Sequence, residues 1–419
     1  MKQKDIAKSL FQGDKTVWII FLLLCCFSII GAFSAMSTLA YKQDNIFIPI
    51  VRHTTFLVVG LILILVLARI PYNFFPLGGS IFMLASIVLL ILTIIYGVSV
   101  NDAQREYELF GTPFRPSEFG KLACIIYVAF CLSKRERFKD KTIINIICIG
   151  VGTVCILILP SNLSTAVLLG TVCFLMMFIG LIPLKMLGRV LFVIIVLCLI
   201  AFLLLLVLPR DITRPYFPRF ETWEKRWQTH ITQNMNEPEQ TNNRFRISND
   251  NYQIAQAKIA IARGGVFGKL PGQSVQRDFL PQAYSDFIYA IIIEEFGIVG
   301  GVLVLLLYLM LLLRVSIIAR RCEKLFPKYL VLGCGLLIVF QALVHMGITV
   351  GLFPVSGLPL PLISIGGTSI VVTCMYFGII LSISHFGANM SEEDEEEEEN
   401  TGEIAEYTDL TAELAETES

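Results

Sequence analysis

Residues 264–297 read GGVFGKLPGQSVQRDFLPQAYSDFIYAIIIEEFG, and the rest of the chain is organised around them. The stretch opens as a polar, glycine-rich loop and closes as the head of a strongly apolar helix. Asp286 sits on the seam. From Phe287 to Ile293 there is no charge, and after Glu294 and Glu295 the apolar run resumes to Leu313. A carboxylate placed where water gives way to hydrocarbon bears a desolvation cost and needs a reason. One reason is a helix start, with Ser285 as N-cap and Asp286 in a first turn favoured by the macrodipole. The other is chemistry, and the polar loop that delivers the residue favours it.

The 419 residues are 55% apolar and 16% charged, with a mean hydropathy of +0.72. That balance excludes a soluble globular domain and defines an integral membrane protein. The net charge of −1 hides an asymmetry: residues 391–419 hold 14 of the 34 acidic residues, leaving 33 basic against 20 acidic before them. The eleven cysteines show neither disulfide nor zinc spacing and read as small apolar side chains. The first apolar run is too long for a cleavable signal peptide.

Runs of roughly 20 apolar residues, enough to span a bilayer, fall near 17–40, 46–68, 77–100, 119–133, 142–160, 165–183, 190–208, 287–313, 329–351 and 369–386. The fourth is short and should begin earlier, in its Pro-Ser-Glu segment. If the amino-terminal side is inside, the short inside segments hold 17 basic residues and the short outside segments five. This positive-inside asymmetry puts both termini in the cytoplasm and Asp286 on the outer side. The expectation is an all-α integral membrane protein of ten transmembrane helices. Residues 1–16 form its cytoplasmic amino terminus, 17–390 its membrane domain and 391–419 a disordered, acidic cytoplasmic tail. One long extracytoplasmic loop, 209–285, joins helices seven and eight.

Three outward features gather on one surface: loop 99–121, loop 209–285, and GLFPVSGLPLPLISIGGTS at 351–369. Irregular backbone as uncharged as the last survives at membrane depth only when buried in protein or lining a cavity. Glu118 and Lys121, three apart at a helix start, share a face and can pair. Near Arg105 and Arg115 they outline a polar pocket, with Asp286 as its opposite wall. The long loop supplies Arg214, Arg219, Lys225, Arg226, Arg244, Arg246, Lys258, Arg263, Lys269 and Arg277, interleaved with Trp223 and Trp227. Charge alone favours contact with membrane-lipid headgroups, but guanidinium groups also suit a lipid-linked pyrophosphate. An outward membrane loop leaves no role for nucleic acid. His345, in mid-helix, reads as a hydrogen-bonded core residue.

SDFIYAIIIEEFGIVG, GLFPVSGLPLPLISIGGTS and RPSEFGK, taken together and in order, resemble the SEDS family, the FtsW/RodA polymerases of bacterial cell-wall synthesis. The similarity runs from about Asp14 to His385, and the opening GDKTVWIIFLLLCCFSIIGAFSAMS is more like the division branch, FtsW, than the elongation branch. The resemblance implies a polymerase that joins lipid II into glycan strands outside the membrane. Its essential Asp corresponds to Asp286, and its Pro-Ser-Glu…Lys motif to Pro116, Ser117, Glu118 and Lys121. Asn101, Ala103 and Arg105 match a second motif; Gly264, Gly265, Gly268, Ser274 and Gln276 match the stretch before the catalytic residue. The family also implies a class B penicillin-binding protein as transpeptidase partner, and other divisome proteins around it. The chain departs from the family pattern at Glu106 (usually Trp), Arg115 (Gln), Asn162 (Asp) and His345 (Asn).

The implied reaction is inverting glycosyl transfer, with Asp286 as the base that deprotonates the acceptor sugar's 4-hydroxyl, worth on the order of 10²–10⁴ in rate. Arg105, Lys121 and Lys269 are the candidates to meet the leaving pyrophosphate. Ser117, Glu118, Ser274, Gln276 and Arg219 complete the candidate substrate contacts. No dedicated cofactor is expected; a divalent cation, Mg or Mn, would arrive with the pyrophosphate. Rival readings are a flippase for the lipid-linked precursor, an elongation-type polymerase, and a scaffold that recruits division proteins through its tail.

Overall fold

The computed structural model describes residues 11–35, 47–100, 103–109, 112–207, 220–235 and 252–387. Asn101, Arg219 and the tail 391–419 lie outside the described residues. In chain order the helices are α1 (Lys15–Ala35), α2 (Phe47–Leu67), α3 (Phe75–Tyr96), α4 (Pro116–Ser133), α5 (Asp140–Ile158), α6 (Leu163–Ile179), α7 (Leu184–Val207), α8 (Phe220–Met235), α9 (Tyr252–Gly264), α10 (Ile288–Arg321), α11 (Leu325–Val350) and α12 (Gly367–Gly387). Eight of them, α1 to α5 and α10 to α12, are long and apolar enough to cross a membrane. Helices α6, with 17 residues, and α7, with 24, lie where the sixth and seventh apolar runs were expected. The fourth span begins at Pro116, whose fixed φ and missing N–H suit the first helical turn.

The core belongs to α4, α11 and α12, while α2 and α3 turn most of their apolar side chains outward. Small residues let the central helices approach, as membrane helices require when hydrocarbon supplies no hydrophobic drive. A methyl group at Gly333 would stand 2.7 Å from Ile125 and Met176, so α11, α4 and α6 meet at that glycine. Both described ends of the chain lie at one end of the bundle. The Asp14 N–H donates to the Ser384 hydroxyl at 2.7 Å. Asp14 also caps α1 through the N–H groups of Thr16 and Val17 and receives Arg314 Nε at 2.6 Å. Burial pushes the Asp14 carboxyl up, but Arg314 and the capping amides outweigh it and hold the carboxyl below its ordinary value.

Two expectations are corrected. The first is the all-α reading, because residues 98–114 contain a small antiparallel sheet. Its strands are β1 (Val98–Val100), β2 (Ala103–Leu109) and β3 (Thr112–Phe114), in the order β1-β2-β3. Glu106 faces Val98 across one ladder and Tyr107 faces Phe114 across the other. Only Glu106 to Leu109, EYEL, alternates polar and apolar residues, a short period-2 signal.

The second correction concerns α10. Its 34 residues would run about 51 Å as one helix, well beyond a ~30 Å hydrocarbon layer. The chain instead breaks at Gly297, where φ is +70° and ψ is −173°. The Tyr289 hydroxyl donates to the Gly301 carbonyl, twelve residues on, at 3.0 Å. A continuous helix would separate those residues by roughly 18 Å, so Ile288–Phe296 bends back toward the helix that follows it. Peptide groups freed by the break are taken up by the preceding loop. Lys269 and Leu270 N–H donate to the Glu294 and Glu295 carbonyls, and Ile298 and Val299 N–H donate to the Gly265 and Val266 carbonyls. Only glycine fits this crossing: a Cβ on Gly297 would lie 2.0 Å from the Val266 carbonyl oxygen, and one on Gly268 would lie 2.1 Å from that of Glu295. Phe287 to Ile293 are all buried, whereas Ile298, Val299, Val302, Leu306 and Met310 form an exposed stripe. The lipid-facing span therefore starts after the break, and the segment before it is enclosed in protein.

Candidate active site

Helix α10 begins at Ile288 with Phe287 in the N-cap position and no side-chain cap. Ser285 is therefore not a cap and Asp286 is not a first-turn carboxylate, so the helix-start explanation of this acid fails. Asp286 belongs instead to a turn, with its N–H donating to the Gln282 carbonyl at 3.1 Å. That turn is docked on the 351–366 segment. The Ile365 N–H donates to the Tyr284 carbonyl at 3.0 Å, and the Ser364 hydroxyl to the Ser285 carbonyl at 2.6 Å. The same segment reaches far into the bundle, because Tyr308, eleven residues beyond the Gly297 break, donates its hydroxyl to the Pro361 carbonyl. Asp286 itself is half-buried, just before a helix segment that is buried from Phe287 on.

Its electrostatic neighbours are Arg115, expected in the pocket opposite it, and Arg226, a loop cation given no role of its own. Asp286 acts on the Arg115 and Arg226 guanidiniums. Arg115 precedes α4, holds Glu106 at 2.6 Å and donates its N–H to the Thr368 hydroxyl. Burial lowers the Arg115 pKa, but Glu106, Glu118 and Asp286 together hold it above the ordinary value. Arg226, on α8, donates to the Val355 carbonyl at 2.8 Å; its burial outweighs the attraction of Asp286 and leaves its pKa lowered. Tyr284 is pushed up by burial and then by Asp286, against Arg115. A carboxylate within electrostatic range of two guanidiniums suits a reaction in which a base and an anionic leaving group meet. Arg115, Ser117 and Glu118 open onto a cleft that continues past Asn162 to Gly357 and Pro359.

The predicted site residues divide into separate groups. Glu118 and Lys121 do pair, at 2.9 Å, but Lys121 is 0% exposed and its ammonium also donates to Gln341 Oε1 at 2.7 Å. A phosphate cannot reach it, so its expected contact with the pyrophosphate becomes a supporting role. Ser274 and Gln276 are buried around Glu294: the Ser274 hydroxyl and the Val275 and Gln276 N–H groups donate to its carboxylate. Lys269 lies 3.8 Å from the same carboxylate. Glu295 receives the Ser34 hydroxyl and the Gly272 N–H. These contacts pin the glycine-rich loop to the helix break, eight positions along from Asp286. Arg105 lies on β2 beside Glu106, with its side chain outside the described residues. Asn162 accepts the Thr165 N–H as the N-cap of α6, a task an amide performs without charge. His345 is buried and bonds the Leu358 carbonyl through Nδ1 at 2.8 Å, in keeping with a core role. Among the described residues no group of three or more His, Cys, Asp or Glu is placed to hold a metal ion.

The fold and site define a multi-span membrane protein with a half-buried carboxylate in electrostatic range of two arginines, beside an irregular, helix-clamped loop. Residues 14–389 match the family model described as cell cycle protein, FtsW/RodA/SpoVE, and the chain belongs to that family. It is 30% identical over 380 residues to the probable peptidoglycan glycosyltransferase FtsW of Idiomarina loihiensis, covering 89% of this chain and 87% of that one. It is 29% identical over 391 residues to the probable peptidoglycan glycosyltransferase FtsW of Coxiella burnetii, covering 90% and 98%. Its fold resembles a chain from a solved peptidoglycan synthase complex described as coordinating polymerization and crosslinking, with a TM-score of 0.66, 20% identity and 90% and 98% coverage. The rod shape determining protein RodA of Thermus thermophilus aligns with a TM-score of 0.60, 23% identity and 89% and 96% coverage.

Proposed function

We propose that the chain is a peptidoglycan glycosyltransferase of the division type, polymerising lipid II at the outer face of the cytoplasmic membrane. The relatives' names support the activity and the division branch. On this reading α6 and α7 complete ten crossings, and the site opens to the side opposite the two termini. The observation that carries the reading is Asp286: it precedes the helix, its turn is docked on the 364–365 segment, and the Arg115 and Arg226 guanidiniums lie within its electrostatic range.

In the reaction, the acceptor's 4-hydroxyl oxygen attacks the donor's anomeric carbon. The bond from that carbon to the pyrophosphate oxygen breaks, and the pyrophosphate leaves with the electron pair. The hydroxyl proton passes to the Asp286 carboxylate. Arg115 and Arg226 meet the leaving group's charge, and a divalent cation would enter with the pyrophosphate rather than wait in a preformed cage. A transpeptidase of the class B penicillin-binding type is the proposed partner, which the synthase-complex neighbour supports. Other divisome proteins would join the pair.

Asp286→Asn in full-length protein given lipid II tests the reading. Loss of polymer from a folded variant is expected. Normal polymer would overturn it, and loss of lipid translocation across vesicles instead would favour a flippase.

A further inference from the structure

The 358–364 segment, which carries the Asp286 turn, is gripped by side chains from several helices. His345 bonds the Leu358 carbonyl, Gln341 Nε2 donates to that of Pro359 at 2.9 Å, Tyr308 to that of Pro361, and Ser28 to that of Leu362 at 2.8 Å. Of these four, Gln341 also touches a charged pair. Its Oε1 accepts from Lys121 Nζ at 2.7 Å, and Lys121 lies 2.9 Å from Glu118. The orientation of the amide is forced: an ammonium can only donate and a carbonyl only accept, so Oε1 must face Lys121 and Nε2 must face Pro359. No other side chain of this size serves both partners. Glutamate would satisfy Lys121 and abandon Pro359; methionine would satisfy neither.

From Pro359 the connection continues to the reacting group. The Leu360 N–H donates to the Ser364 hydroxyl at 2.7 Å, and that hydroxyl donates to the carbonyl of Ser285, the residue before Asp286. We infer that Gln341 is a positioning residue for Asp286, locking the Glu118–Lys121 pair at the head of α4 to the loop that carries the Asp286 turn. The inference rests on Asp286 being the base. Gln341 is 4% exposed and sits between a buried ammonium and a backbone carbonyl, so it acts through geometry rather than through substrate contact.

The test uses full-length protein in proteoliposomes with lipid II, comparing Gln341→Met, Gln341→Glu, Lys121→Met and the Gln341→Met/Lys121→Met double variant. A misplaced base should lower kcat about 10- to 100-fold and leave KM within about twofold. The double variant should fall no further than the worse single one, because both cut the same connection. Gln341→Glu keeps the Lys121 contact and loses only the Pro359 donation; it should also lose kcat, which covers the case in which Gln341→Met does not fold. Unchanged kcat in the folded variants, a raised KM at constant kcat, or losses that multiply in the double variant would overturn the inference. Asp286→Asn is the control. If it polymerises normally the base assignment fails; if it is inactive while Gln341→Met and Gln341→Glu are normal, only the Gln341 inference fails.

Discussion

The Tyr289 hydroxyl and the Gly301 carbonyl are hydrogen-bonded at 3.0 Å although twelve residues separate them on what the sequence presents as one apolar run. The contact exists because Gly297 takes a backbone conformation closed to other residues, and the loop around Gly268 fills the gap. Gly297→Ala would strain φ and drive a methyl into the Val266 carbonyl. The expected cost exceeds the ~1–3 kcal/mol of an ordinary strained residue, and the variant should lose both thermal stability and polymerisation. Gly152→Ala on α5, where nothing lies within 4 Å, is the matched control and should change neither. Thermal melts in detergent check both.

Glu118 and Lys121 form a buried pair, so removing one partner is worse than removing both. Lys121→Met should destabilise by about 3–5 kcal/mol by stranding a buried carboxylate. Glu118→Gln with Lys121→Met should recover part of that stability without restoring activity. Unfolding midpoints and polymer assays on the same preparations separate the two effects.

Arg226 offers its charge toward Asp286 from α8, on the long connection between α7 and α10. Replacing it with Gln removes a cation from the proposed pyrophosphate side. A loss near 1.4 kcal/mol in binding would raise KM about tenfold, with kcat changed less. Steady-state kinetics across lipid II concentrations measure this, and unchanged KM and kcat would count against the assignment.

Asp14 gives the fold an acid-sensitive latch. Its folded pKa lies below the ordinary carboxylate value, so the Asp14–Arg314 contact is fully stabilising above the unfolded value of about 3.9. It is lost as pH falls through the lower, folded value. Asp14→Asn should therefore be less stable than the parent near neutral pH, with the gap closing below about pH 4. Thermal melts from pH 7 to 3 follow the convergence.

Most spans were legible because hydrocarbon demands long apolar runs, and the Glu118–Lys121 contact was legible because three residues on a helix make one face. The seam at Asp286 was visible as a lone acid beside an uncharged stretch. The break at Gly297 was written as EEFG inside an apolar run, but the loop that completes it lies about 30 residues earlier and only the fold brings them together. Arg226 carried no mark among the basic residues of its loop, since its distinction is a long-range contact with Val355. The sheet at 98–114 was hidden by a helical reading of the whole chain. Lys121 was recognised as paired, yet its complete enclosure depends on Gln341, 220 residues away.

The break at Gly297 also decides how much of this run lipid can touch. By sequence, Phe287 to Leu313 is one greasy stretch interrupted only by Glu294 and Glu295. The nine residues from Ile288 to Phe296 are buried or half-buried in protein, with those carboxylates tied to the loop upstream and to α1. Hydropathy therefore overstates the width of the membrane-facing belt here: its apolar surface is supplied from Ile298 onward.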